Sequence, residues 1–177
     1  MTGVAWRPGC PVELADLRRV RLRYWGFDGV VHEGVLVVHR AESSQVVAAF
    51  DALFSFRFPI RRMEPIEAFG GDDDRSTRAD NTSAFNCRPV RATSHWSQHA
   101  FGRAVDINPL ENPYVYADGT VLDPASANFI DRPANRGGPG VIDGEGLVVR
   151  AFSGVGWGWG GRWKRTKDYQ HFSASGG

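Results

Sequence analysis

Two short segments of this 177-residue chain carry side chains that can do chemistry together. The first is Ser97-Gln98-His99-Ala100-Phe101-Gly102-Arg103-Ala104-Val105-Asp106, and the second is Asp168-Tyr169-Gln170-His171. His99, Asp106 and His171 offer two imidazoles and a carboxylate, a three-ligand set for one zinc ion (Zn2+). Three protein ligands leave a fourth position for water, which marks a catalytic site and not a closed structural one. Asp168 is a spare carboxylate, one helical turn or two strand steps before His171, and zinc-held water needs such a base for its proton. The chemistry implied is hydrolysis.

Such residues must be delivered by several elements. Alternation of Val20, Leu22 and Tyr24 with Arg21, Arg23 and Trp25, the turn pair Asp28-Gly29 and the run Val35 to Val38 predict a hairpin over about 18–40. Ser43 or Ser44 is positioned to cap a helix with Val46, Val47, Phe50, Leu53 and Phe54 on its apolar face, closed by Phe58-Pro59-Ile60. Arg61 to Ile66 reads as a further strand. The polar stretch Gly70 to Pro89, with its acidic run Asp72-Asp73-Asp74, reads as a long solvated loop. Residues 98–102 read as a short helix ending at Gly102, which lets the chain turn tightly and lets backbone approach a metal. A central strand over 103–107 follows. Five prolines between 108 and 140 predict an extended surface excursion, then a helix near 145–153 and last strands at 156–161 and 169–173.

Composition bounds the class. Hydrophobic residues make up 42% and charged residues 23%, ordinary for a soluble globular domain, and the net charge is +1. No nucleic-acid partner is therefore expected, and no apolar run reaches the length of a membrane span. The first residues, Met1 to Pro8, lack a secretory pattern, which leaves the route to any extracellular target open. Cys10 and Cys87 pair if the chain is exported and stay free in a reducing compartment; Cys87 as a fourth, site-closing zinc ligand is the third reading. His32-Glu33 begins the His-Glu-x-x-His pattern, but Leu36 ends it. His39 and His95 read as structural and polar-loop residues.

The segments Asn86-Cys87-Arg88, Ser97-x-His99-x-x-Gly102-x-Ala104-x-Asp106 and Asp168-x-x-His171 resemble the D-alanyl-D-alanine carboxypeptidase family of zinc peptidases, family M15. That family includes VanX/VanY-type dipeptidases and carboxypeptidases and the L-alanyl-D-glutamate endopeptidases of phage lysins. The resemblance covers roughly residues 40–175. It implies an α+β fold, a single small domain whose antiparallel sheet carries the zinc site between flanking helices, as in Hedgehog and DD-peptidase-like proteins. Residues 1–40 would form a lead-in and hairpin of that same domain, and residues 41–177 the zinc peptidase part. The resemblance assigns His99, Asp106 and His171 to the metal, Asp168 as catalytic acid/base, Arg88 as the cation facing the substrate carbonyl, and Ser97 near the substrate. Trp157, in the run Gly156-Trp157-Gly158-Trp159-Gly160-Gly161, reads as a cleft wall or as core, and Trp159 and Trp163 share both readings. Tyr114 and Tyr116 read as a lid or as surface loop.

The implied substrate is a peptidoglycan stem peptide or another D-amino-acid-containing peptide, acted on by a monomer in the cell envelope or outside the cell. Carboxypeptidase and L-Ala-D-Glu endopeptidase activities both fit the motifs. So do a dipeptidase for free D-Ala-D-Ala and a zinc-binding module without activity, although an inactive module needs neither Asp168 nor Arg88.

Overall fold

The computed structural model describes residues 2–176, so Met1 and Gly177, the outer ends of the two spans expected above, lie outside the described residues. The expected hairpin is present. Strand β1 (Leu17–Trp25) pairs antiparallel with β2 (Val31–His39) from Leu17 opposite His39 to Trp25 opposite Val31. Alternation sends its two faces into two cores. Leu22, Tyr24, Leu36 and Val38 join α1 (Ser43–Ser55), α4 (Leu147–Gly154) and the site-bearing strands in the larger core, around Phe50, Phe152 and Phe172. Leu17 and Val37 face a smaller core of Ala5, Val12, Ile66, Phe69 and Phe85.

The helix of 43–55 forms, with Val46, Ala49, Phe50 and Leu53 buried, but Val47 is turned outward. Neither serine caps it: a 3-10 turn at Arg40–Glu42 leads directly into the helix, and the side chain of His39 accepts the Ala41 N–H at that turn. The strand expected over 61–66 shrinks to β3 (Arg62–Met63), followed by a 3-10 turn at Ile66–Phe69. The polar stretch 70–89 is more ordered than its composition suggests. Asp72 accepts the Arg75 N–H and starts α2 (Asp73–Arg78), whose acidic first turn and basic last turn suit the helix dipole. Strand β4 (Asn81–Thr82) then runs parallel to β3.

Strands β5 (Ala104–Asp106), β7 (Gly158–Trp159) and β9 (His171–Ser173) form an antiparallel sheet in the order β5-β9-β7. Strand β6 (Tyr114–Val115) pairs antiparallel with β8 (Lys167–Asp168). Helices, a hairpin and several antiparallel sheets in one small domain make the α+β architecture. No helix among the described residues is long and apolar enough to cross a membrane.

The excursion 108–140 is not simply surface. Asn108 and Asn112 are fully buried within it. Asn112 gives hydrogen bonds to the carbonyls of Ile107, Asn108 and Gly140 and accepts from Ile142 N–H and Arg132. Arg132, on α3 (Arg132–Asn135), also donates to the carbonyls of Glu111, Phe129 and Ile142 and lies 4.5 Å over the Tyr169 ring. Prolines limit regular strand here to β6, and side-chain amides satisfy backbone groups that longer strands would have paired.

Beside this hub, Asp80 and Glu111 are buried together, with Arg61 3.6 Å from the first and 3.7 Å from the second. Burial, then a hydrogen bond that protonated Glu111 donates to Asp80 and the charge of Asp80, push the Glu111 carboxyl up to about 8. Folded protein thus keeps a proton that the unfolded chain releases near pH 4.5, and this contribution to stability is lost as pH rises through about 8. Glu111→Gln, permanently neutral, is expected to flatten the fall of Tm between pH 5 and 9 and to melt above the wild type at pH 9. Parallel melting curves for the two proteins across that range would overturn the shared-proton account.

Cys10 and Cys87 form a disulfide across 77 residues of sequence, which removes Cys87 from any ligand set. The bond fastens the lead-in to the segment that continues into Arg88. Closing so long a loop contributes roughly 4 kcal/mol through the unfolded state. Cys10→Ser/Cys87→Ser is therefore expected to melt about 10 °C lower in calorimetry; an unchanged Tm would show that the packing of Ala5 and Phe85 alone holds the lead-in.

Candidate metal centre and peptidase cleft

The ligand set is assembled by strand register. In the β5–β9 pair, Asp106 stands directly opposite His171. His99 comes from a 3-10 turn at Gln98–Phe101, ended by Gly102 at φ +67. The tight-turn role expected of Gly102 holds, and the hairpin crowds it: a Cβ there would sit 2.6 Å from the His39 nitrogen. The hairpin also braces the site through His39 N–H to Gly102 O and Phe85 N–H to Val37 O.

Three donor atoms converge. His99 Nε2 lies 3.2 Å from His171 Nδ1 and 3.1 Å from one Asp106 oxygen, while His171 Nδ1 lies 3.0 Å from the other. Among the described residues this is the group of three His, Cys, Asp or Glu side chains placed to hold a metal, with ligand atoms within 4.8 Å of one another. His99 Nδ1 donates to the Ala84 carbonyl at 2.6 Å, so its Nε2 carries a lone pair toward the centre. Burial raises the Asp106 carboxyl, but the two imidazoles outweigh it and hold the group well below the usual carboxylate range. For His99, burial disfavours the cation, yet Asp106 wins and raises the imidazole. Two nitrogen atoms and a carboxylate crowded about one point, with one nitrogen's tautomer set from behind, fit a divalent cation.

Asp168 lies on β8, opposite Tyr114 of β6, and is 8% exposed with its Oδ1 unpartnered. Burial first, then the charge of Asp106, pushes its carboxyl up to about 7; His171, a hydrogen bond from Gln170 and Arg88 oppose the rise. Gly160 lies under this pair, where a Cβ would meet the Asp168 carbonyl at 2.7 Å and the His171 Cβ at 3.3 Å. That close approach explains a glycine in the tryptophan-rich run.

A cleft of about 360 Å³ opens above the centre and is lined by His99, Asp168 and His171 together with Arg88 and Ser97. Arg88 is held by Asp73 of α2, Nε to Oδ1 2.9 Å. Ser97 accepts the His99 N–H, and its own N–H bonds the Arg88 carbonyl, so it ties the arginine segment to the first ligand. Trp157 is corrected: it is 3% exposed, packs against Phe152 in the core and does not line the cleft. Trp163 lines it instead, 5.4 Å from the His171 ring. Tyr114 and Tyr116, edge to face at 4.9 Å, form another part of the wall, with the exposed Trp96. Trp159 is core, its Nε1 donating to the Tyr169 carbonyl. His32 pairs with Asp28, and neither it, His39 nor His95 lines the cleft.

Residues 91–174 match the family model described as D-alanyl-D-alanine carboxypeptidase. This stretch is similar to peptidase family M15. No curated protein and no solved structure matches the chain. The matched stretch takes in Ser97, His99, Asp106, Asp168 and His171 and starts three residues after Arg88, so the arginine stands on its geometry alone. Three features around the cleft escaped sequence reasoning. The Ala84 carbonyl left no side-chain signal, and Asp73 was hidden in an acidic run that reads as solvated. Gln170 lay in plain view inside the Asp168-x-x-His171 motif.

Proposed function

We propose that the chain is a zinc-dependent peptidase that hydrolyses D-amino-acid-containing peptides of the peptidoglycan stem, as a carboxypeptidase or an L-Ala-D-Glu endopeptidase. The observation that carries the reading is the convergence of His99, Asp106 and His171 beside the buried, unpartnered Asp168 oxygen, on the floor of a cleft. A structural metal site gains nothing from a desolvated acid next to it. His99 Nε2, His171 Nδ1 and an Asp106 oxygen would hold the ion, which when bound supplies Lewis acidity and lowers the pKa of water.

The protein's own groups do the rest. Asp168 Oδ1, lacking a partner, takes the proton of the attacking water and returns it to the departing amine. Arg88, fixed by Asp73, offers its remaining N–H groups to the oxygen on which negative charge develops. Aromatic rings of Trp96, Tyr114, Tyr116 and Trp163 flank the peptide and limit the water around it. One chain contains every residue of the site, which fits action as a monomer.

The disulfide supports work in an oxidising compartment, hence the cell envelope or outside the cell, where peptidoglycan lies. The test is digestion of purified muropeptides by zinc-loaded protein, read by mass spectrometry. Loss of a terminal D-Ala or scission after L-Ala is expected. Intact muropeptides under these conditions would defeat the reading.

A further inference from the structure

Gln170 is a buried polar side chain of the cleft that the mechanism above leaves without a task. It is 8% exposed, lies between Asp168 and His171 in sequence and lines the cleft. Its main chain is fixed, because its carbonyl accepts the N–H of Ile107, the residue that follows β5. Its side-chain oxygen, Oε1, has no hydrogen-bond partner. A buried acceptor that the protein leaves unpaired is costly, so one in a binding cleft calls for a partner that arrives from outside.

The two ends of the amide are distinguishable. Oε1, and not the NH2 group, is the atom of this amide that is buried without a partner. Oε1 is therefore the end left for the cleft. A neutral amide oxygen takes an N–H donor, and in a peptide the donors beside the scissile bond are backbone amides. A side-chain ammonium or guanidinium would be served better by a carboxylate.

We propose that Gln170 is a substrate-binding residue whose Oε1 accepts a backbone N–H flanking the scissile bond. The inference rests on the peptidase reading and deepens it. Specificity follows: a substrate lacking that N–H leaves the buried acceptor unpaired and is rejected.

The experiment compares a D-Ala-terminated stem peptide with isomers N-methylated singly at each backbone nitrogen next to the scissile residue. Both kcat/KM and, by calorimetry on the zinc-free protein, Kd are measured. Wild type is expected to disfavour one isomer by roughly 10- to 100-fold, the equivalent of one unpaired buried acceptor. Gln170→Met and Gln170→Asn, which withdraw the oxygen, should lose most of that preference, whereas Gln170→Glu, which keeps an acceptor, should retain it. Unchanged zinc content and Tm show that the variants fold; the second withdrawn-oxygen variant stands in if the first does not. An equal preference in wild type and both withdrawn-oxygen variants at every nitrogen would overturn the proposal. If affinity splits in the expected pattern while no peptide is cut, the peptidase reading falls and the Gln170 assignment stands.

Discussion

Asp168→Asn is expected to bind zinc as the wild type does and to lose turnover by on the order of 10²–10⁴, the usual worth of a positioned general acid/base. Asparagine keeps the shape and most of the packing of a residue that is 8% exposed on a paired strand, so the fold has little reason to change. What it removes is the one carboxylate in the cleft that is neither in the ligand set nor paired with an arginine. Asp106 is committed to the two imidazoles and Asp73 to Arg88. The check is metal content by elemental analysis together with kcat on a D-Ala-terminated stem peptide. A variant that retains zinc and wild-type kcat would sink the assignment of the base. A variant that loses zinc would instead make Asp168 part of the metal's own environment.

The site was more legible than the fold that carries it, for a physical reason. Ligand residues must be of particular types, and the spacing from His99 to Asp106 spans one turn, one glycine and one strand. That spacing survives as a pattern in the chain. The hairpin was legible for a related reason, since burial on alternate sides leaves a period of two along β1 and β2. Segments held by side-chain amides leave no such period. Asn108 and Asn112 read as polar residues of a proline-rich surface loop, yet both are fully buried because each satisfies several backbone groups at once. The run 72–78 was misread through composition: the same aspartates that suggest solvent also start a helix.

Tryptophan placement was the least legible feature. Trp157, Trp159 and Trp163 lie within seven residues, and their side chains reach two different places. Trp157 and Trp159 enter the core with Phe152 and Phe172, whereas Trp163, after the 3-10 turn at Gly160–Arg162, emerges beside His171. A run punctuated by glycines has no fixed period from which the inward positions can be counted. Only the close approach of Gly160 to Asp168 and His171 fixes where the chain turns, and that is a tertiary fact.

The second large effect concerns the metal itself. His171→Ala is expected to lower zinc affinity by more than about 100-fold, since loss of a mere outer-sphere partner already costs 10- to 100-fold. The strand should survive, because β9 is held by backbone bonds to β5 and β7 and by Phe172 in the core. Zinc should therefore raise the Tm of the wild type and leave that of the variant unmoved, the signature of a ligand that binds only the folded form. His95→Ala is the matched control: it removes an exposed imidazole that does not line the cleft, and it should change neither affinity nor Tm. The comparison separates a real ligand from a histidine that stabilises Asp106 by an ordinary hydrogen bond. In the latter case apo His171→Ala would be destabilised by the stranded carboxylate, and zinc would still bind through His99 and Asp106.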